Sequence, residues 1–367
     1  MDVAVAAAVA AAVDVVTSMM CHDHNRLLLQ FHITGRCNLR CRHCYRTEGD
    51  VERLSYEDVI AVLEQFKQLL TEYNSTCGIR HRGHVNLTGG EPFYREDICR
   101  ILEYMGQNSD CFTYGILSNG SFIDEKVLTL LQKTKVSFVQ LSIDGDRQTH
   151  DSLRAPGDYD RFFSTASMLE TKGIRTYISF TANRKNYRYL PRVAAQCRKR
   201  GITKLWSDRL VPIGNGQDLR ELVLTEKDLP RYIRTLKRAQ GNCFTRRLYP
   251  KTQVTMNRAL QFQSSQGRIY SCSAGKSLIT VDEFGNIMPC RRMPILCGDV
   301  FSSTLSRVYW EHETFRQLRV KGVPPECVRC PYAPACRGGA RCQSYARLGS
   351  FRKADPACPL LKKYQQE

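Results

Sequence analysis

The chain of 367 residues carries 54 lysines and arginines against 36 acidic residues, a formal net charge of +18. Its length suggests about two domains, and a hydrophobic content of 42% is ample for a large core. Seventeen cysteines, an odd number at cluster-like spacings, argue against a secreted disulfide framework and for reduced thiols in a cytoplasm; Cys77, Cys99, Cys111, Cys197 and Cys243 read as lone thiols of that kind.

Residues 1–16 are an Ala/Val run broken by Asp2 and Asp14. No basic segment precedes it, so it is not an ordinary secretory signal. Its apolar part, 3–13, is too short to span a bilayer. The Cys21-His-Asp-His24 cluster reads better as part of a polar tail than as a metal site, and residues 1–26 are taken as an N-terminal tail.

From residue 27 to about 213, short apolar runs alternate with amphipathic segments. Strands are expected over 27–33, 84–87, 112–117, 137–143, 175–181 and 204–211. The capping box Ser55-Tyr-Glu-Asp58 opens a helix with Val59, Val62, Leu63, Phe66, Leu69 and Leu70 on one stripe. Further helices are expected over 96–105, 124–131, 159–171 and 187–200. Six β/α units imply a parallel sheet with right-handed crossovers, and chemistry at the C-terminal ends of its strands.

The candidate motifs fall at those ends. After the first strand comes Cys37-x3-Cys41-x2-Cys44-Tyr45. A four-iron cluster takes one protein sulfur per iron, so three cysteines leave one iron open to a small molecule. A partial zinc site is the bland alternative, but zinc knuckles use paired C-x2-C units. After the second strand comes Gly89-Gly90-Glu91-Pro92, whose glycines let the backbone approach a ligand. Ser118-Asn119-Gly120 follows the third strand and Ser142-Ile-Asp144-Gly145 the fourth; both offer small polar groups for hydroxyls or a carboxylate. Arg154 and Val211-Pro-Ile-Gly214 complete the series, while His43 and Arg40 read as structural or surface residues.

This series resembles the radical S-adenosylmethionine (radical SAM) enzymes. The resemblance implies a partial (β/α)6 TIM barrel. In that family the open iron binds SAM, and one electron cleaves it to a 5′-deoxyadenosyl radical that takes a hydrogen atom from substrate. Carried onto this sequence, Cys37, Cys41 and Cys44 would hold the cluster. Gly89, Gly90 and Glu91 would hold the SAM amino group. Tyr45, Ser118, Asn119, Ser142, Asp144, Arg154 and Val211 would line the rest of the cofactor site, with Arg154 on the carboxylate. No catalytic side chain stands out.

Thr225-Glu-Lys-Asp228 is a second capping box, opening a basic helix over 229–239; residues 216–266 read as a helical linker. Beyond 267 the chain turns cysteine-rich, with cysteines at 272, 290, 297, 327, 330, 336, 342 and 358 and a hairpin turn at Val281-Asp-Glu-Phe-Gly285-Asn. This part, 267–367, resembles the SPASM domain, a small iron–sulfur extension of radical SAM enzymes that act on peptides and proteins. The resemblance implies two auxiliary [4Fe–4S] clusters, three in all. Cys327, Cys330, Cys336 and Cys358 would hold one, and Cys272 and Cys290 part of the other. The usual returning cysteine is replaced by Ala340. Either Cys342 ligates from a shifted turn, or one iron is open, with Cys297 a further candidate.

The expectation is a cytoplasmic radical SAM peptide maturase that works on a ribosomally made precursor peptide or protein and forms a thioether or other crosslink. Its electron donor would be a flavodoxin or ferredoxin, and the basic surface would suit an acidic leader. No leader-binding domain fits within 1–26. Anaerobic sulfatase maturation is weaker, because Arg291 follows Cys290 where an aspartate is usual; peptide epimerisation is another alternative. Outside enzymes, paired zinc ribbons on a basic nucleic-acid-binding protein compete, but no aromatic-interleaved basic pattern supports nucleic acid. A membrane partner is not expected.

Overall fold

The computed structural model describes residues 26–47, 52–264, 269–320 and 322–365. The tail before Arg26, with its Cys/His cluster, lies outside them. Ten strands form one sheet, in the order β10-β9-β8-β1-β2-β3-β4-β5-β6-β7. The parallel core is β1 (Leu28–Thr34), β2 (Gly83–Gly89), β3 (Phe112–Leu117), β4 (Phe138–Ile143), β5 (Thr176–Ala182) and β6 (Lys204–Arg209), each within two residues of its expected bounds.

The pleat explains which way each side chain goes. In β1 the odd residues Leu29, Phe31 and Ile33 are wholly buried, as is Leu27 just before the strand. The even residues Gln30 and His32 alternate with them on the other face. Burying each large apolar side chain is worth about 1.5–3 kcal/mol, and Phe31→Ala would cost about 3–5 kcal/mol.

Helices α1 (Tyr56–Cys77), α2 (Ile98–Gln107), α3 (Glu125–Lys133), α4 (Arg147–Leu153), α5 (Asp158–Thr171) and α6 (Leu190–Lys199) connect the strands. The Ser55 capping box forms in full: Ser55 Oγ accepts from the Asp58 N–H, and Asp58 accepts from the Ser55 N–H at 2.9 Å. The expected apolar stripe of α1 is buried, joined by Tyr73. Helix α4 was not anticipated; at seven residues it is too short for a periodicity to show.

The stretch read as a linker contributes more than a helix. Helix α7 (Leu229–Gln240) is present, but its second capping box is only half formed. Asp228 Oδ2 accepts from Thr225, whereas no side chain caps the helix. The three-residue β7 (Gln253–Thr255) then joins β6 in parallel as a seventh strand. At the opposite edge β8 (Leu278–Val281) pairs in parallel with β1, from Leu28 against Leu278 to Phe31 against Val281. Strands β9 (Asn286–Met288) and β10 (Gly298–Asp299) extend this edge antiparallel. The cysteine-rich segment thus continues the sheet of the barrel. No helix among the described residues is long and apolar enough to cross a membrane.

Candidate functional site

A cleft opens at the C-terminal ends of the strands. Cys37, Cys41, Cys44 and Tyr45 line it from one side. Gly89, Gly90, Ser118, Asn119, Ser142, Arg154 and Val211 line it from the others. Residues up to 174 positions apart in sequence therefore meet where the strand ends were expected to bring them.

The loop that carries the three cysteines is clamped through its backbone. The Gly90 N–H donates to Thr34 O and the Glu91 N–H to Arg36 O, both at 2.8 Å. The Arg42 N–H donates to Leu153 O at 2.9 Å, and the Gly216 N–H to Cys44 O at 3.0 Å. The glycines serve this clamp. A Cβ on Gly89 would lie 2.1 Å from Thr34 O, and one on Gly90 2.1 Å from Arg36 O. A Cβ on Gly214, at φ +56°, would lie 2.2 Å from Tyr45 O. The expected close approach is therefore of backbone to backbone, which fixes the cysteine loop over β2.

Two residues expected at the cofactor stand back from the cleft. Glu91 and Asp144 do not line the cleft; both are wholly buried beneath it. Glu91 accepts from Ser118 Oγ at 2.8 Å, the Asn119 N–H at 2.7 Å and the Phe93 N–H at 3.2 Å. It joins the end of β2 to the Ser118-Asn119-Gly120 turn. Burial pushes its carboxyl up to about 7, against the opposing pull of those hydrogen bonds. Asp144 receives Arg154 Nε at 2.6 Å and faces His43 Nε2 at 3.4 Å. Burial would raise the Asp144 carboxyl, but Arg154, His43 and His150 outweigh it and hold it at about 2. Arg154 is thereby aimed, with Nη1 at 4.0 Å from Cys41 Sγ.

Several residues that the sequence did not single out hold the site together. Glu283, in the turn between β8 and β9, accepts from Arg46 Nε at 2.7 Å and meets His32 Nδ1 at 3.2 Å. It ties the C-terminal hairpin to the residue two past Cys44. Arg292 donates to Asp208 at 2.6 Å, and Arg209 to Asp355 at 3.0 Å, joining β6 to the cysteine-rich segment. Pairs this distant in sequence leave no local pattern; the Asp-Glu-Phe-Gly turn was the sole signal near any of them.

The remaining thiols fall into two groups. Cys327, Cys330, Cys336 and Cys358 surround one small apolar cavity with Phe262 and Leu260. Burial raises the Cys327 and Cys336 thiols to about 12, with the neighbouring thiols adding to the effect. Cys272, Cys290 and Cys342 line a second, larger cavity in the barrel lumen, beside Ala340. Cys297 does not line it. Its sulfur is buried elsewhere and donates to Ile295 O at 3.3 Å. Of the two candidates for the returning ligand, Cys342 stands with Cys272 and Cys290, and Cys297 stands apart. Among the described residues no three His, Cys, Asp or Glu side chains are drawn together as ligands of a single metal ion. Three thiols facing an open cleft, and four around an apolar cavity, are donor sets suited to iron–sulfur clusters.

Comparison with known proteins agrees with this geometry. Residues 31–197 match the radical SAM superfamily. Over 90% of its length the chain is 24% identical to an AdoMet-dependent heme synthase of Oleidesulfovibrio alaskensis, covering 86% of that protein. It is 25% identical to the mycofactocin maturase MftC of Mycolicibacterium smegmatis, covering 90% of this chain and 82% of that one. The solved structure of anSMEcpe with bound AdoMet and a peptide superimposes with a TM-score of 0.69 at 19% identity, over 93% of this chain and 96% of that one. Residues 31–197 thus carry a radical SAM domain, which supports SAM and an iron–sulfur cluster as cofactors.

Proposed function

We propose that this chain is a radical SAM peptide maturase that modifies a residue of a precursor peptide, with crosslinking as the favoured outcome. When bound, the cluster and SAM supply a carbon radical able to take a hydrogen atom from substrate. The chain's own residues hold and aim the parts. Cys37, Cys41 and Cys44 would hold the cluster, with one ligand position left for SAM. Ser118, Asn119 and Ser142 offer hydrogen bonds, Tyr45 and Val211 offer apolar faces, and Arg154 offers the free edge of a guanidinium already neutralised by Asp144. Glu91 acts through the Ser118 turn rather than on the cofactor. Cys327, Cys330, Cys336 and Cys358 are the complete ligand set of one auxiliary cluster. Cys272, Cys290 and Cys342 would hold the other, with one ligand position left for a substrate sulfur. A flavodoxin or ferredoxin would supply the electron.

The observation that carries this reading is that the two cavities share a wall. Leu117, Gln140, Arg291 and Arg292 line both the cleft of Cys37, Cys41 and Cys44 and the lumen of Cys272, Cys290 and Cys342. A substrate lying along that wall would meet both thiol sets. The relatives' names divide between heme synthase and maturase at almost equal identity. The peptide-bound solved structure supports the peptide reading.

The test is anaerobic incubation with SAM, dithionite and a short cysteine-rich peptide encoded beside the gene, in parallel with an iron porphyrin. A mass loss in the peptide, such as two hydrogens for a crosslink, is expected. Conversion of the porphyrin with an unchanged peptide would overturn the reading.

A further inference from the structure

Four of the six arginines that line the cleft are matched to acids. Arg46 is paired with Glu283, Arg154 with Asp144, Arg209 with Asp355 and Arg292 with Asp208. Arg40, at the exposed end of the cysteine loop, donates to Cys37 O at 2.6 Å. Arg291 differs. Its guanidinium lies over the Tyr45 ring at 5.0 Å, and among the described residues no carboxylate pairs with it. It is also one of the four residues that line both cavities.

The lumen next to it repeats the imbalance. Apart from the thiols of Cys272, Cys290 and Cys342, its charged lining is Arg26, Arg258, Arg291 and Arg292 against the single carboxylate of Asp208. Asp208 is engaged by Arg292. Arg258 lies over Trp206 at 4.1 Å, and its buried Nε has no hydrogen-bond partner. An arginine presents five donors in a planar array that suits a carboxylate, and leaving such donors unmatched in a buried site is costly. The uncharged lining mixes apolar residues such as Leu28 and Leu278 with hydrogen-bonding groups such as Gln30, whose buried Nε2 also lacks a partner, and Gln140.

We propose that Arg291, assisted by Arg258, is a carboxylate-binding subsite, and that the substrate presents a carboxylate between the two thiol sets. This rests on the cleft being the reaction site. The carboxylate is either the peptide's C-terminus or the side chain of an acidic residue. Arg291 holds it at the shared wall, so the reacting residue is fixed within reach of both cavities.

The experiment uses the full chain, reconstituted anaerobically with iron and sulfide and saturated with SAM, so that the carboxylate of SAM does not compete. Three probes are titrated by calorimetry: acetyl-Gly-Gly with a free C-terminus, its amide, and acetyl-Gly-Glu-amide. At least one carboxylate probe should bind about tenfold or more tightly than the amide. Arg291→Gln should abolish that difference, and Arg291→Lys, which keeps the charge without the planar array, should retain part of it. Iron content and the EPR spectra of the clusters should not change in Arg291→Gln. Equal binding of amide and carboxylates, binding of none of the probes, or a preference that survives Arg291→Gln would overturn the proposal. Lost iron or altered EPR in Arg291→Gln would assign the arginine to the cluster instead and overturn it as well. Reductive SAM cleavage measured on the same preparation shows separately whether the reaction assignment has failed.

Discussion

Arg209, the last residue of β6, and Asp355, 146 residues later, form a buried ion pair with both guanidinium ends on both carboxylate oxygens. The same carboxylate accepts the Ala340 and Ala357 N–H groups at 3.1 Å, and the Asp355 carbonyl accepts the Cys358 N–H at 2.9 Å. One side chain therefore fixes the barrel, the approach to Cys342 and the loop of Cys358. Removing one partner of such a buried pair costs about 3–5 kcal/mol, because the other charge is left without a match. Asp355→Ala should lower thermal stability and reduce iron at both C-terminal thiol groups, while the Cys37–Cys41–Cys44 loop keeps its iron. A variant with full iron content would show that the pair does not position those cysteines.

Glu91 gives a pH-dependent prediction. Its carboxyl is raised from 4.5 to about 7, so the protonated form is favoured by folding. That contribution is complete below about 4.5 and is lost as pH rises through about 7. Urea unfolding should show stability falling across this window, with a shallower slope in Glu91→Gln. Glu91→Ala leaves three donors without acceptors and should cost about 3 kcal/mol or more, with weaker SAM binding as the Ser118 turn moves. An unchanged SAM affinity would contradict its role in holding that turn.

The barrel was legible because its signals are local. Apolar runs, the Ser55 capping box and the motifs at the strand ends place β1 to β6 within two residues. The resemblance to the SPASM domain implied that Cys327, Cys330, Cys336 and Cys358 form one thiol group, and they surround one cavity. What was hidden depends on distant contact. That Glu91 and Asp144 turn inward follows from partners outside their own strands, Ser118 in the turn after β3 and Arg154 at the end of α4. Strand β7 has three residues and no pattern of its own; its identity comes from β6 beside it. That Cys342, and not Cys297, lines the cavity of Cys272 and Cys290 depends on the path of the chain after Cys336, where Gly338 and Gly339 take φ of +87° and +84°.

That path makes a specific prediction for the lumen site. Cys342→Ala should lose about four irons by cluster arithmetic and with them the product. Cys297→Ala should keep its iron, since its sulfur does not reach that cavity. The reverse pattern, measured by iron and sulfide assay, would exchange the two assignments.

The net charge of +18 predicts how a peptide with an acidic leader is recruited. Its affinity should fall steeply with added salt, because attraction between exposed charges is screened beyond about 8 Å at physiological ionic strength. Affinity independent of salt would place recognition in an apolar contact instead.

The central claim is that the loop of Cys37, Cys41 and Cys44 holds the cluster that reduces SAM. The most direct measurement is 5′-deoxyadenosine formed anaerobically from SAM and dithionite, comparing the wild-type chain with the triple Cys→Ala variant of that loop. The account predicts product from the wild type and none from the variant, which should retain the iron of its C-terminal thiol groups. Formation of 5′-deoxyadenosine by the triple variant at the wild-type rate would contradict it.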